Sequence, residues 1–202
     1  MGRTREFDLD EAIATATKLF WRGYDRTSLT DLTGALGIGA ASFYFAFESK
    51  EALFRQVVER YIGFLNKIFE RAFQAPTTCI AVKALLEAYA DVVTDAEHTP
   101  GCLVVNNSPS MHADGALRKW LARHREALRL KLEERFFADV AVGNLPSDCD
   151  PKTMARFVVT LAGGIAVEAR SGASRQGLYA MINFAMRNFS GTRRRSTLKT
   201  PQ

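Results

Sequence analysis

The sequence predicts an all-α protein. Apolar residues recur at three- and four-residue spacing along most of the chain, and no long stretch alternates with period two. Proline and glycine fall at breaks between the periodic stretches. With 202 residues, 47% hydrophobic and 24% charged, the chain can bury a core of its own in one or two domains, and it is too apolar to be disordered.

About nine helices follow in order. Leu9 to Tyr24 places Leu9, Ala12, Ile13, Ala16, Leu19 and Phe20 on one face, with Asp8 as N-cap and Gly23 marking the end. Ser28 to Leu36 is short, opened by Thr27 or Ser28 and closed by Gly37; Ala40 to Ala46 follows. Ser49 caps a longer helix that runs through Leu53, Val57, Tyr61 and Leu65 to about Ala72. Thr78 to Ala96 is the fifth, broken by Thr99-Pro100-Gly101. Cys102 to Met111 is a short segment with Pro109 inside it. Asp114 to Val142 carries Leu117, Leu121, Leu128, Leu132 and Phe136 on one stripe. After the loop Gly143 to Pro151, Lys152 to Arg170 and Arg175 to Phe189 complete the set.

The longest uncharged apolar run, Phe157 to Val167, is too short for a bilayer, which takes roughly 20 residues. The opening MGRTREFDLDEA has acids and no apolar segment, so no signal peptide is expected. Cys79, Cys102 and Cys149 are odd in number and widely spaced, as expected of reduced thiols in a cytoplasmic protein.

The net charge of +5 does not itself indicate nucleic acid. Residues 1–50 hold six cations against seven acids, whereas the tail from Arg187 holds Arg187, Arg193, Arg194, Arg195 and Lys199 with no acid. The tail equals the whole excess, and a basic tail is ordinarily a solvated end. A case for DNA must come from a motif.

Residues 27–50, TSLTDLTGALGIGAASFYFAFESK, supply one. Two short helices joined by a tight turn at Gly37-Ile38-Gly39 form a helix-turn-helix. Gly37 permits the positive φ of the turn, Thr33 or Ala35 keeps the helix contact small, and Ile38 plugs the core. The second helix turns Gly39, Ala41, Ser42, Phe45 and Ala46 toward a major groove.

At Ala16, Phe20, Gly23, Tyr24, Thr27, Ser28, Leu32, Leu36, Gly37, Ile38, Ser42, Tyr44, Phe47, Ser49, Lys50, Glu51 and Leu53 the chain resembles the TetR family of bacterial regulators. The resemblance spans about residues 5–70. It implies a DNA-binding domain over residues 1–48, a ligand-binding and dimerisation domain over 49–190, and the basic tail 191–202, read as disordered. By position, Tyr44 and Lys50 match phosphate contacts, Thr27 or Ser28 offers a hydroxyl and N–H at a helix start, and Ala41 and Ser42 face the bases. Two positions depart from the family pattern. Gly39 stands where a small hydroxyl residue is common, and Phe45 near where histidine is common. Phe45 suits a thymine methyl rather than a phosphate. Arg3 and Arg5 form a basic arm for phosphates or an adjacent minor groove.

The last two helices are broadly apolar. Phe157, Leu161 and Ile165 on one, and Leu178, Met181, Ile182, Ala185 and Phe189 on the other, form the expected dimerisation surface. In the family these helices pair with their copies, which implies a C2 homodimer, recognition helices about 34–36 Å apart and a palindromic operator in double-stranded DNA. Phe64, Phe69, Tyr89, Met111, Trp120, Phe137 and Phe157 are candidates to line a pocket for a small hydrophobic effector, although each is also ordinary core material.

Cys102 follows Pro100-Gly101 at a helix start, where N–H groups lower a thiol pKa. An alternative function is therefore a thiol-based electrophile or redox sensor acting through Cys102. No metal, nucleotide or catalytic signature is found. Gly37-Ile38-Gly39-Ala40-Ala41-Ser42 lacks the third glycine of a dinucleotide fingerprint and follows a helix. His98, His112 and His124 lack ligand spacing, so neither cofactor, metal nor enzymatic activity is expected. The reading is a homodimeric repressor released from its operator by a small hydrophobic ligand.

Overall fold

The computed structural model describes residues 8–108 and 115–189. Among these residues the structure is nine helices and no strand: α1 Leu9–Phe20, α2 Leu29–Leu36, α3 Ala40–Phe47, α4 Lys50–Phe73, α5 Thr78–Val93, α6 Leu103–Asn107, α7 Gly115–Ala141, α8 Pro151–Arg170 and α9 Arg175–Phe189. Arg3, Arg5, Met111, His112 and the tail 191–202 lie outside the described residues. No described helix is long and apolar enough to cross a membrane.

Side-chain caps set most helix starts. Asp8 accepts from the N–H groups of Asp10 and Glu11 at 2.8 and 3.2 Å. Ser28, not Thr27, caps α2, in a reciprocal pair with Asp31. Ser49 caps α4 through Ala52, Thr77 caps α5 and Asp150 caps α8. These bonds satisfy backbone donors that a first turn leaves open.

Two helices end earlier than their apolar pattern suggests. α1 stops at Phe20 rather than Tyr24: the Arg22 and Gly23 N–H groups tighten onto the carbonyls of Leu19 and Phe20 at 3.1 and 3.0 Å, Gly23 turns the chain away at φ +130°, and two side chains from further along add to the closure. Thr27 Oγ1 donates to the carbonyl of Leu19, and Asn107 Nδ2 donates to that of Phe20. α5 stops at Val93, whose carbonyl accepts from the Gly101 N–H at 2.8 Å. Such long-range capture is invisible to a local pattern.

One core runs through the chain. Phe20, Phe43, Phe47 and Phe54 are fully buried at the N-terminal end, and Leu85, Leu103, Leu121 and Phe136 continue it. α4 packs on α1 and on α5, and Asn107 of α6 bonds to Phe20 and Tyr24, so α4 and α6 both join the first three helices to the rest. α8 and α9 both lie against α5. Tyr179 and Arg175 bind Asp91 at 2.5 Å each, which fixes the start of α9 to α5.

Candidate DNA interface and effector cavity

α2 and α3 meet across the turn that the glycine pattern predicts. Gly37 ends α2 with φ +67°, and Ile38 is packed against the core. Phe43 and Phe47 anchor α3 inward at 0% and 1% exposure. The opposite face is therefore fixed. Gly39, Ala41 and Ser42 are exposed, Tyr44 is 51% exposed and Phe45 is 94% exposed. Ala46 is half-buried against the core and contributes less to this face.

Two charged features flank it. Asp31 accepts from the Ser28 hydroxyl and N–H, and these bonds hold its carboxyl below the usual range. Lys50 Nζ sits 4.1 Å from the Tyr24 ring centroid. Its pKa is lowered by burial, against the opposing pull of Asp25. Thr27 does not share this face. It is 3% exposed, and its hydroxyl donates to the carbonyls of Gly23 and Leu19 at 2.9 and 3.1 Å. It supports the turn, and the exposed hydroxyl at the α2 start belongs to Ser28.

Behind this unit lies a cavity of about 510 Å³ bordered by α4, α5, α6, α7 and α8. Its apolar wall includes Ile62, Leu65, Phe69, Tyr89, Val105 and Val159; Asn66, His124, Arg125, Arg156 and Thr160 are among its polar lining. His124 Nε2 is buried without a hydrogen-bond partner. Burial lowers the pKa of this imidazole, with Glu59 opposing and Arg123 reinforcing the shift. A neutral ring whose nitrogen has no partner in the protein can bond a polar group on an otherwise apolar guest.

Of the aromatic residues expected to line a pocket, Phe69 and Tyr89 do so. Trp120 stands one layer back, edge-on to His124 at 4.6 Å and under the Arg55 guanidinium. Phe64 borders a different cleft, of about 660 Å³, between α1, α4 and residues 96–99. Phe137 and Phe157 are 48% and 45% exposed and border neither cavity. Periodicity showed that these rings lie on helices but not which way each helix turns them.

Cys102 is 3% exposed and forms part of the cavity wall. Burial pushes the phenols of Tyr61 and Tyr89 well above the ordinary tyrosine value, with Cys102 beside both. A reactive thiol is accessible and has cations near it. Here the sulfur sits among neutral phenols, which does not favour the sensor alternative.

The predicted dimerisation residues divide in two. Ile165, Leu178, Ile182 and Ala185 are 0%, 2%, 0% and 9% exposed, so they face the core of their own chain. Phe157, Leu161, Met181 and Phe189 are exposed or half-buried. Val167 and Phe184, at 52% and 62% exposure, extend the outer stripe and were not expected. A helix wheel distinguishes these two faces only once the inner one is known. Among the described residues, no cluster of three or more His, Cys, Asp or Glu side chains is placed to hold a metal.

A helix-turn-helix with an exposed recognition face, carried on a larger helical body with a cavity between its helices, defines a DNA-binding regulator. Residues 12–57 match the model for bacterial regulatory proteins of the tetR family, and residues 80–183 match the tetracyclin repressor-like C-terminal domain. The chain is 33% identical to the HTH-type transcriptional repressor ComR of Escherichia coli (strain K12), over 92% of this chain and 90% of that protein. A cysteine-substituted mutant of the TetR-family regulator CifR, complexed with 26-bp double-strand operator DNA, superposes with a TM-score of 0.83 at 34% identity, covering 92% of this chain and 98% of that one. A TetR transcriptional regulator from Rhodococcus sp. RHA1 gives 0.62 at 35% identity, covering 90% and 99%. The chain belongs to the TetR family of bacterial regulatory proteins and is a helix-turn-helix transcriptional regulator.

Proposed function

We propose that the protein is a homodimeric repressor that holds a palindromic operator and releases it when a small hydrophobic effector fills the cavity between α4 and α8. Residues 1–48 form the DNA-binding unit and 49–190 the effector and dimerisation unit; it is a cytoplasmic regulator and not an enzyme. The observation that carries the reading is the outward face of α3. A 94%-exposed phenylalanine beside Ala41 and Ser42 is costly in water and useful against a thymine methyl. Tyr44, Lys50 and the Ser28 end of α2 surround it with phosphate partners.

Selection from a random duplex pool should enrich a palindrome. On that operator, Tyr44→Ala and Lys50→Ala are each expected to weaken binding about tenfold. Lys50→Ala should also lower the salt slope by about one, since one fewer phosphate is neutralised. Titrations unchanged by either substitution would remove both residues from the interface.

Gly163 borders the cavity, and a Cβ built on it meets nothing within 4 Å. Gly163→Phe should therefore narrow the space, its Cβ entering without a clash. It is expected to weaken binding of the amphipathic dye 8-anilinonaphthalene-1-sulfonate at least tenfold, by roughly the 1.4 kcal/mol that a tenfold change represents, while the helix content stays at the wild-type level. Fluorescence titration checks the first outcome and circular dichroism the second. Undiminished dye binding would count against an effector site here.

A further inference from the structure

Asn107 has no local reason to be an asparagine. It is the last residue of α6, it is 0% exposed, and a buried amide must find partners. Two of its three partners are 83 and 87 residues away. Oδ1 accepts from the Tyr24 N–H at 2.6 Å, and Nδ2 donates to the Phe20 carbonyl at 3.1 Å. Nδ2 also donates to the Leu103 carbonyl, one turn back on α6, at 2.8 Å. One side chain thus closes the end of α1 and the start of the turn that leads into α2.

That turn positions the proposed DNA contacts. Tyr24 packs on Phe54 at 4.9 Å and carries the Lys50 ammonium over its ring at 4.1 Å. Ser28, the cap of α2, lies four residues further on. The opposite end of α6 belongs to the cavity, where Cys102, Val104 and Val105 form part of the wall. The helix has only five residues, about 7.5 Å of rise, too short to absorb a displacement by bending. Its start is fixed as well. Gly101 adopts φ +101°, and a Cβ there would approach Asn106 Oδ1 to 2.9 Å.

We propose that Asn107 is the positioning residue through which the cavity acts on the DNA-binding helices. An effector that shifts α6 pulls the amide from Tyr24 and Phe20, and the α1–α2 turn loses two of the bonds that, with those of Thr27, orient α2 and Lys50. This rests on the effector reading of the cavity. It adds the identity of the connection, and it makes the coupling a matter of two hydrogen bonds rather than of general packing.

Coupling is reciprocal: if the dye weakens operator binding, the operator weakens dye binding by the same factor. Asn107→Ser is the discriminating variant. The Ser108 hydroxyl already donates to the Val104 carbonyl at 2.7 Å, so a serine at 107 can do the same with Leu103 while losing Tyr24 and Phe20. The dye 8-anilinonaphthalene-1-sulfonate is titrated into the full-length protein, free and saturated with selected operator, with the Gly163→Phe protein as blank. Wild type should show a ratio of dissociation constants within the roughly 5- to 150-fold span of ordinary allosteric coupling. Asn107→Ser should bring the ratio below about 2, with dye affinity for free protein retained.

A variant that keeps the wild-type ratio overturns the role of Asn107 alone. A wild-type ratio of one overturns the effector reading on which the role depends. The wild-type protein offers a second test that needs no variant. Dye should speed hydrogen exchange at the Tyr24 amide at least about tenfold, because its acceptor is withdrawn. Unchanged exchange in the dye-saturated protein would equally overturn the proposal.

Discussion

Phe184→Glu is expected to leave the protein monomeric and to weaken its grip on the operator by about a hundredfold or more, equivalent to roughly 2.7 kcal/mol. On α8, Phe157, Gly164 and Val167 recur on one outward stripe; on α9, Ala180, Met181 and Phe184 do the same. Phe184 is 62% exposed and the Arg187 guanidinium lies 5.6 Å from its ring. At a C2 interface each residue acts twice, so a glutamate on this stripe would bring two like charges into the interface. A monomer brings one recognition helix to a palindrome built for two. Val167→Arg should act in the same direction from the neighbouring helix. Light scattering gives the mass and a filter-binding titration gives the affinity. A dimeric Phe184→Glu protein would place the interface elsewhere.

The DNA-binding half was legible because its constraints are local. A glycine at a left-handed turn and caps two or three residues from their targets can both be read along the chain. Ser28 resolves an ambiguity that sequence leaves open: either hydroxyl suits the start of α2, and only packing shows that Thr27 is turned inward. The sensing half was less legible. Phe64, Phe137 and Phe157 are identified from the sequence only as aromatic residues on helices, which does not say what each faces. Which one meets a cavity depends on neighbours far away in sequence. Asn107 is the extreme case. It sits in a short polar run, Asn106-Asn107-Ser108, with no signal of its own, and its meaning comes from Phe20 and Tyr24 at the other end of the fold.

Asp139→Ala is expected to cost about 3 kcal/mol of stability at neutral pH, the largest loss predicted for a polar substitution. Asp139 is 5% exposed on the last turns of α7. Its carboxylate accepts from the Thr78 hydroxyl, from Arg135 Nε at 2.9 Å and from Asn144 Nδ2 at 3.3 Å. Arg135 in turn donates to the carbonyls of Phe73 and Ala75 at 2.8 and 3.1 Å. The pair therefore joins the ends of α4 and α7 to the start of α5. Burial alone would raise the Asp139 pKa, but the bonds from Thr78, Arg135 and Asn144 outweigh it and leave it below the ordinary value. A depressed folded value gives stability that is complete above the unfolded pKa near 3.9 and is lost as pH falls through the folded one. Asp139→Asn, which does not titrate, separates the charge from the shape. Its deficit against wild type, from urea unfolding at fixed protomer concentration, should be constant from about pH 7 to 5 and shrink below about pH 4. A deficit that stays constant through the acid range would mean that Asp139 acts by packing alone.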